Sequence, residues 1–328
     1  MLCRCNECNK LIQIKQIHYF HKLNYFWLCK SLLKTAATLT MDSDSLKIFV
    51  TVAELHSFTQ AGKLLHLTQP AISKRIGQLE DQLGVALFDR IGRQILLTDA
   101  GKTLLPRARA ILNDVNDLKR SIDSLSTDIS GTLALGTSHH IGLHRLPPYL
   151  RDFHRYFPRV KLNIKFMESE EIYELVIQGK LELGIVTLPA QADAHVRTQA
   201  LWLDSLHFMV SKDHALNSGR RITLSELLEH PAILPESNTF TRTIVERIVS
   251  QQGQQIECGL STNNLEIIRM LTKTGLGWSV LPDTLLDDEL IPLQVEKTTI
   301  NRELGLIFHS RRTLSNAARE FMNLLTAP

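Results

Sequence analysis

Apolar residues in the first third of the chain recur at helical spacing. Leu46, Phe49, Val50 and Ala53 mark one face of a first helix. A second helix begins at Ser57, and a tight turn follows His66. In the third, Ile72, Ile76, Leu79 and Leu83 recur every three or four residues, which buries one face. Thr68 stands at its N-cap, its hydroxyl placed to accept an orphan backbone N–H. Pro70 falls in the first turn, where a missing donor costs little. Val85 to Phe88 and Gln94 to Leu97 then predict two short strands, with Gly92 supplying the turn. Thr98 and Asp99 open a long helix whose apolar positions, Leu104, Ala108, Ile111, Val115, Leu118, Ile122 and Leu125, keep a heptad spacing. Its flanks are polar (Arg107, Arg109, Asn113, Asp114, Lys119, Arg120), so the stripe predicts pairing with a second helix. Pro106 should kink it.

Beyond the polar hinge Ser126 to Ser130 the pattern becomes alternating strands and helices. Thr132–Thr137, Val160–Met167 and Leu183–Thr187 read as strands, Leu146–Phe157 and Glu170–Gln178 as helices. A second group follows: strands at Leu206–Ser211, Ala232–Leu234, Glu257–Ser261 and Trp278–Leu281, helices at Leu224–Glu229, Thr241–Gln251 and Leu265–Thr272. A final strand, Glu303–Phe308, and helix, Ala317–Leu325, return to the first group. Alternation of this kind predicts parallel sheets covered by helices.

Gln69, Ser73 and Lys74 lie off the buried stripe of the third helix, near its N-terminal end. Gln69 can donate to and accept from adenine, Ser73 can serve either kind of base edge, and Lys74 can reach guanine or a phosphate. Arg90 and Arg93, at the tip of the hairpin, suit phosphate or minor-groove contact. A solvated helix face carries similar residues, and the neighbours decide between the readings. Residues 44–103 resemble the winged helix-turn-helix of LysR-type transcriptional regulators. The matching pieces are Phe49, Ser57-Phe58-Thr59, Thr68-Gln69-Pro70-Ala71, Ser73, Leu79-Glu80, Leu83-Gly84, Leu87-Phe88-Asp89-Arg90 and Leu97-Thr98-Asp99-Ala100-Gly101. Gly62 departs from the usual alanine, and Lys74 from the frequent arginine, which weakens the case for bidentate guanine reading there.

The resemblance implies an α/β chain in three parts. Residues 44–103 would be the winged helix-turn-helix, with Thr68, Gln69, Pro70, Ser73, Lys74, Arg90 and Arg93 on DNA. Residues 104–128 would be the linker and dimerisation helix. Residues 131–328 would be an effector-binding domain, similar to periplasmic binding proteins, with lobe I at 131–203 and 303–328 and lobe II at 204–302. Gly179-Lys-Leu-Glu-Leu-Gly-Ile185 and Gly275-Leu-Gly-Trp-Ser-Val-Leu-Pro282 carry that part of the likeness. A dimer would read an inverted-repeat operator in double-stranded DNA. By resemblance alone, two dimers form a homotetramer, RNA polymerase is a further partner, and the protein is cytoplasmic.

The chain has 328 residues with 44% hydrophobic content, enough for two or three domains with a core. Its formal charge is +3, but residues 1–40 hold six Lys/Arg against one Glu, leaving −2 for the remaining 288. Any nucleic-acid contact must therefore come from local placement of charge. The first 40 residues also hold four of the five cysteines, Cys3, Cys5, Cys8 and Cys29. With His18 or His21, Cys3, Cys5 and Cys8 could hold zinc, but C-x-C-x-x-C has no second paired cluster after it. No apolar run approaches a membrane span, and no cleavage site follows an apolar core. The economical expectation is an extension upstream of a true start at Met41.

Ligands of open α/β sheets sit beyond the carboxyl ends of strands. Those ends, and the family's inducer loops, point to Ser138, His139, Ser169, Thr187, Asn238 and Thr239 as effector contacts. Hydroxyls and helix N-termini of this kind suit a small organic anion. His140 and His144 lie one turn apart but lack a third metal ligand. Gly101-Lys102-Thr103 lacks the partner glycine of a phosphate loop, because position 96 is Leu96. No hydrolase, metalloprotease or Cys/His nucleophile motif is present, and no cofactor is implied. A transcriptional regulator controlled by a small molecule is the expectation. The alternative, a solute-binding or transport component, leaves residues 44–125 unused.

Overall fold

The computed structural model describes residues 41–91, 94–123 and 129–327, and the chain divides into two compact units between Ala108 and Arg109. The first 40 residues, with the proposed extension and its cysteines, lie outside the described residues, as do Gly92, Arg93, Leu125 and most of the hinge.

The first unit holds α1 (Ser43–Leu55), α2 (Phe58–Leu65) and α3 (Gln69–Leu83). Asp42 caps α1 by accepting from Ser45 N, and Ser57 caps α2 by accepting from Gln60 N. The buried face of α1 is Leu46, Ile48, Phe49, Val52 and Ala53. Val50 is only half-buried, because the stripe leans toward 48 and 52 rather than toward 50. Gly62 lies where the chain turns toward α3: Leu67 N donates to its carbonyl, and a Cβ there would meet Leu67 O at 2.7 Å. Ile72, Ile76 and Leu79 of α3 are buried as spaced. The Thr68 hydroxyl makes no capping bond, against expectation. Pro70 occupies the second helical position and has no N–H, so one of the two donors such a cap uses is gone.

The hairpin is β1 (Phe88–Ile91) against β2 (Gln94–Leu97), paired from Phe88↔Leu97 to Ile91↔Gln94. The first strand thus begins later than Val85. Glu80 Oε1 accepts from Leu87 N and Phe88 N, which ties that stretch to the end of α3 and leaves Val85 exposed. Phe88 packs on Phe49 and Phe58, with ring centres 5.4 and 5.7 Å apart. Thr98 starts α4 (Asp99–Asp123) as expected, its hydroxyl accepting from Gly101 N. The helix continues through Pro106. Of its apolar stripe Ala108 is buried, while Ile111, Leu118 and Ile122 are exposed.

Within the second unit the other flank of α4 is anchored. Asn113 donates to Gln178 O at 3.1 Å, and Arg312 pairs with Asp117 at 3.1 Å and donates to Gly179 O. The unit continues with β3 (Gly131–Thr137), α5 (His139–His144), α6 (Pro147–Tyr156), β4 (Val160–Phe166), α7 (Ser169–Ile177), β5 (Leu183–Thr187) and β6 (Val196–Ser211). Then come α8 (Leu224–Leu228), β7 (Ala232–Leu234), α9 (Phe240–Ser250), β8 (Cys258–Ser261), α10 (Leu265–Lys273), β9 (Trp278–Pro282), β10 (Leu290–Pro292), β11 (Ile300–His309) and α11 (Asn316–Thr326). The sheet runs β4-β3-β5-β11-β6-β9-β7-β8, with β10 on β6. It is mixed rather than wholly parallel: β11 pairs antiparallel with β5 and β6, and β6 with β9.

Two large apolar cores and two smaller ones lie along this sheet. Leu133, Leu135, Phe153, Leu183, Leu304 and Phe321 centre the first, and Leu206, Phe208, Val245, Trp278, Val280 and Ile300 the second. Strands β6 and β11 belong to both. The expected strand Leu206–Ser211 is therefore only the far end of β6. The earlier part of β6 carries polar side chains on exposed positions, and this hides the strand from an apolar search. Asp204 and Arg302 sit opposite each other in the register, where the strands pass from one core to the other.

Candidate functional site

A cavity of about 50 Å³ lies between the two lobes of the second unit. Lobe I contributes Ser138, His139 and His140 at the start of α5, Glu168, Ser169 and Glu170 at the start of α7, and Thr187 at the end of β5. Lobe II contributes Pro235, Thr239 and Thr241 around the start of α9 and Asn263, Asn264 and Leu265 at the start of α10. Arg302 reaches it from the crossing strand β11. Of the residues expected from the sequence, Ser138, His139, Ser169, Thr187 and Thr239 line the cavity. Asn238 does not; it is exposed beside the N-cap of α9.

Capping explains why these helices start here. Ser138, Thr239 and Asn264 accept from Ile141 N, Arg242 N and Glu266 N of the helices they precede. The Thr239 hydroxyl also donates to Glu236 O, so its one proton is used and it shapes the loop. The Ser169 hydroxyl accepts from Thr187 N at 3.1 Å, tying α7 to β5 and leaving its proton to donate.

Several contacts cross from lobe to lobe around the cavity. Glu170 Oε1 accepts from Phe240 N at 2.5 Å, placing a carboxylate on the N-terminus of α9. His140 Nε2 lies 3.3 Å from Thr284 Oγ1, and His144 Nε2 lies 3.4 Å from Glu266 Oε1. At the floor Asp204 takes Arg302 through Nε at 2.9 Å and Arg145 through an N–H at 3.1 Å, while Arg302 also donates to Thr241 Oγ1 at 3.0 Å.

The electrostatics divide the cavity. Burial, then the positive charge of Arg302, pushes the His140 imidazole down to about 3, so it is neutral. Burial pushes the Arg302 guanidinium down against the pull of Asp204. On the opposite wall burial, then Glu170, Glu171 and Glu236, pushes the Glu168 carboxyl up to about 7. Reasoning from sequence missed Glu168, Glu170, Thr241, Asn264 and Arg302. Arg302 had one signal: it occupies an inward position of a strand whose alternation is otherwise apolar.

In the first unit, Gln69 and Lys74 are exposed and Ser73 is half-buried, near the N-terminal end of α3 and off its buried stripe. Gln69 Nε2 donates to Ser73 Oγ at 2.9 Å, which holds the amide along the first turn. Arg75 pairs with Asp42 at 3.3 Å, linking α3 to the start of α1. Arg90 lies in β1, and its side chain, like Arg93, is outside the described residues.

Two family models match the chain: the bacterial regulatory helix-turn-helix protein, lysR family, over residues 43–102, and the LysR substrate binding domain over residues 126–327. An uncharacterized HTH-type transcriptional regulator of Azotobacter vinelandii is 60% identical over 108 residues, 33% of this chain and 75% of the relative. The RuBisCO operon transcriptional regulator of Allochromatium vinosum is 28% identical over 281 residues, 84% of this chain and 92% of the relative. Among solved structures, a full-length OxyR variant of Pseudomonas aeruginosa matches with a TM-score of 0.66 at 22% identity, covering 87% of this chain and 93% of that one. Full-length CbnR complexed with its target DNA matches with a TM-score of 0.59 at 21% identity, covering 87% and 99%.

Proposed function

The chain belongs to the LysR family of transcriptional regulators, and from that premise we propose how it reads DNA and what its cleft does. Paired molecules set the N-terminal end of α3 into the major groove, with Thr68, Gln69, Pro70, Ser73 and Lys74 at base edges and backbone. Arg90 and Arg93 hold phosphates or the minor groove. The observation that carries this reading is α3 itself: its apolar stripe is buried while Gln69 and Lys74 are left exposed at its start. The similar fold of CbnR, solved in complex with its target DNA, supports it. Residues 44–103 form the DNA-binding part and 104–128 the dimerising helix, which pairs two copies through Ile111, Leu118 and Ile122. Residues 131–328 form the effector domain. The relatives are transcriptional regulators rather than enzymes. Among the described residues no helix is long and apolar enough to cross a membrane, and we place the protein in the cytoplasm.

In the cleft, an effector carboxylate competes with Glu170 for the N-terminus of α9 and contacts Ser138, His139, Ser169 and Thr187, with Asn238 and Thr239 at the loop that positions α9. Displacing Glu170 changes the angle between the lobes. In the oligomer that alters which half-sites the paired α3 helices engage. The test is anisotropy of the full chain on duplexes from a random-site selection, over a salt series and with candidate effectors. Affinity should fall steeply with salt. Effector and operator should alter each other's affinity by one common factor. Failure to retain any duplex, or equal effector affinity with and without operator, sinks the proposal.

A further inference from the structure

The charges around the cleft are segregated, and this bears on the class of ligand it takes. At the floor two guanidiniums, Arg145 and Arg302, share the single carboxylate of Asp204. These three are the floor charges that act on His140, together with His144, and they sum to one surplus positive charge. Asp204 and Arg302 are buried, so solvent compensates this surplus poorly. The far wall is the reverse. The charged groups acting on Glu168 are Glu170, Glu171 and Glu236, and no cation is among them. Glu170 accepts from Phe240 N, whereas Glu168, the other acid lining the cavity, makes no capping bond. His140 stands at the cavity too. It is 8% exposed, and its Nδ1 has no partner, while Nε2 faces Thr284.

A simple carboxylate would meet the floor well and the glutamate wall badly. A simple amine would do the opposite. We propose that the cleft is built for an amino-carboxylate, its carboxylate toward Arg302 and the start of α9 and its ammonium against Glu168. The inference rests on the effector reading of this cleft and narrows it from an organic anion to a zwitterion. His140 Nδ1 supplies a neutral group for the ligand between the two poles. The raised proton affinity of Glu168 fits this role: in the free protein it is only partly ionised near neutral pH, and a bound ammonium favours the ionised form.

The test uses the full chain and ligands matched in skeleton. The common α-amino acids are screened by thermal shift and calorimetry beside a panel of simple mono- and dicarboxylates. Each amino acid that binds is then compared with its deaminated acid and its decarboxylated amine. We expect the amino acid to bind about tenfold or more tighter than either, the scale of one charged contact. Glu168→Gln should erase most of the preference over the deaminated acid while leaving binding of that acid intact. A carboxylate that binds as tightly as its amino counterpart overturns the inference and leaves the effector cleft standing. So does an undiminished preference in Glu168→Gln. Silence in every arm removes the cleft reading together with this one.

Discussion

Asp204→Asn removes one negative charge from the point where both long strands cross between the lobes. The side chains of Asp204 and Arg302 are 2% and 4% exposed, and that of Arg145 is 30% exposed. On loss of the carboxylate Arg145 can turn toward water. Arg302 cannot, and it keeps only neutral acceptors, Thr241 Oγ1 and the carboxamide oxygen that replaces the carboxylate. Leaving a buried charge uncompensated costs about 3–5 kcal/mol. With a urea dependence of roughly 3 kcal/mol per molar, the unfolding midpoint should fall by about 1–1.7 M. Tryptophan fluorescence suits the measurement, since Trp278 lies in the core of lobe II and Trp202 packs on Tyr149 beside that of lobe I. A second variant separates lost attraction from stranded charge. Asp204→Leu combined with Arg302→Met removes both ions and should recover most of the loss. A midpoint within about 0.3 M of the parent for Asp204→Asn, or a double variant worse than the single, refutes the reasoning.

Gln69→Ala should lower discrimination among operator sequences by about 1–3 kcal/mol at the affected base pair. Competition binding against single-base variants reads this directly, and a uniform loss across all of them would count against base reading. Leu118→Glu places a charge in the exposed apolar stripe of α4 and should shift the protein toward monomer in sedimentation; an unchanged profile would move the pairing surface elsewhere. Glu168 and His140 should slope stability in opposite directions. Glu168, raised from 4.5 to about 7 chiefly by burial, binds more protons folded than unfolded; its stabilisation is full below about 4.5 and lost as pH rises toward 7. His140, lowered from 6.5 to about 3 chiefly by burial, stabilises above about 6.5 and loses that as pH falls toward 3. Melting curves of Glu168→Gln between those limits should lack the upper decline, and a slope equal to the parent's would exclude Glu168 as its source.

Much of the fold was legible because burial imposes a period. The stripe of α3 and the alternation of β4 name their elements without help from distant residues. What escaped depends on partners far along the chain. Phe88 enters a strand, and Val85 does not, because Glu80 fastens the stretch between them. The first half of β6 has β11 beside it, and its polar positions gave no local reason to expect a strand. The cleft shows the same division. Hydroxyls at strand ends were readable as caps or contacts, and Ser138, Ser169 and Thr187 do meet at one cavity. Glu168, Asp204 and Arg302 matter through charges that topology brings together. The last two stand 98 positions apart, and no spacing announces them.

The exchange of strands between lobes also orders events at the ribosome. The first compact unit closes at Ala108, whereas β5 waits for β11, which begins at Ile300. Roughly 200 residues separate the two, or about 10–40 s of synthesis at ordinary elongation rates. A nascent molecule therefore folds its helix-turn-helix unit well before its sensor exists. Restraint by metabolite must await termination, and a chain truncated anywhere before residue 300 would carry that unit without the means of governing it.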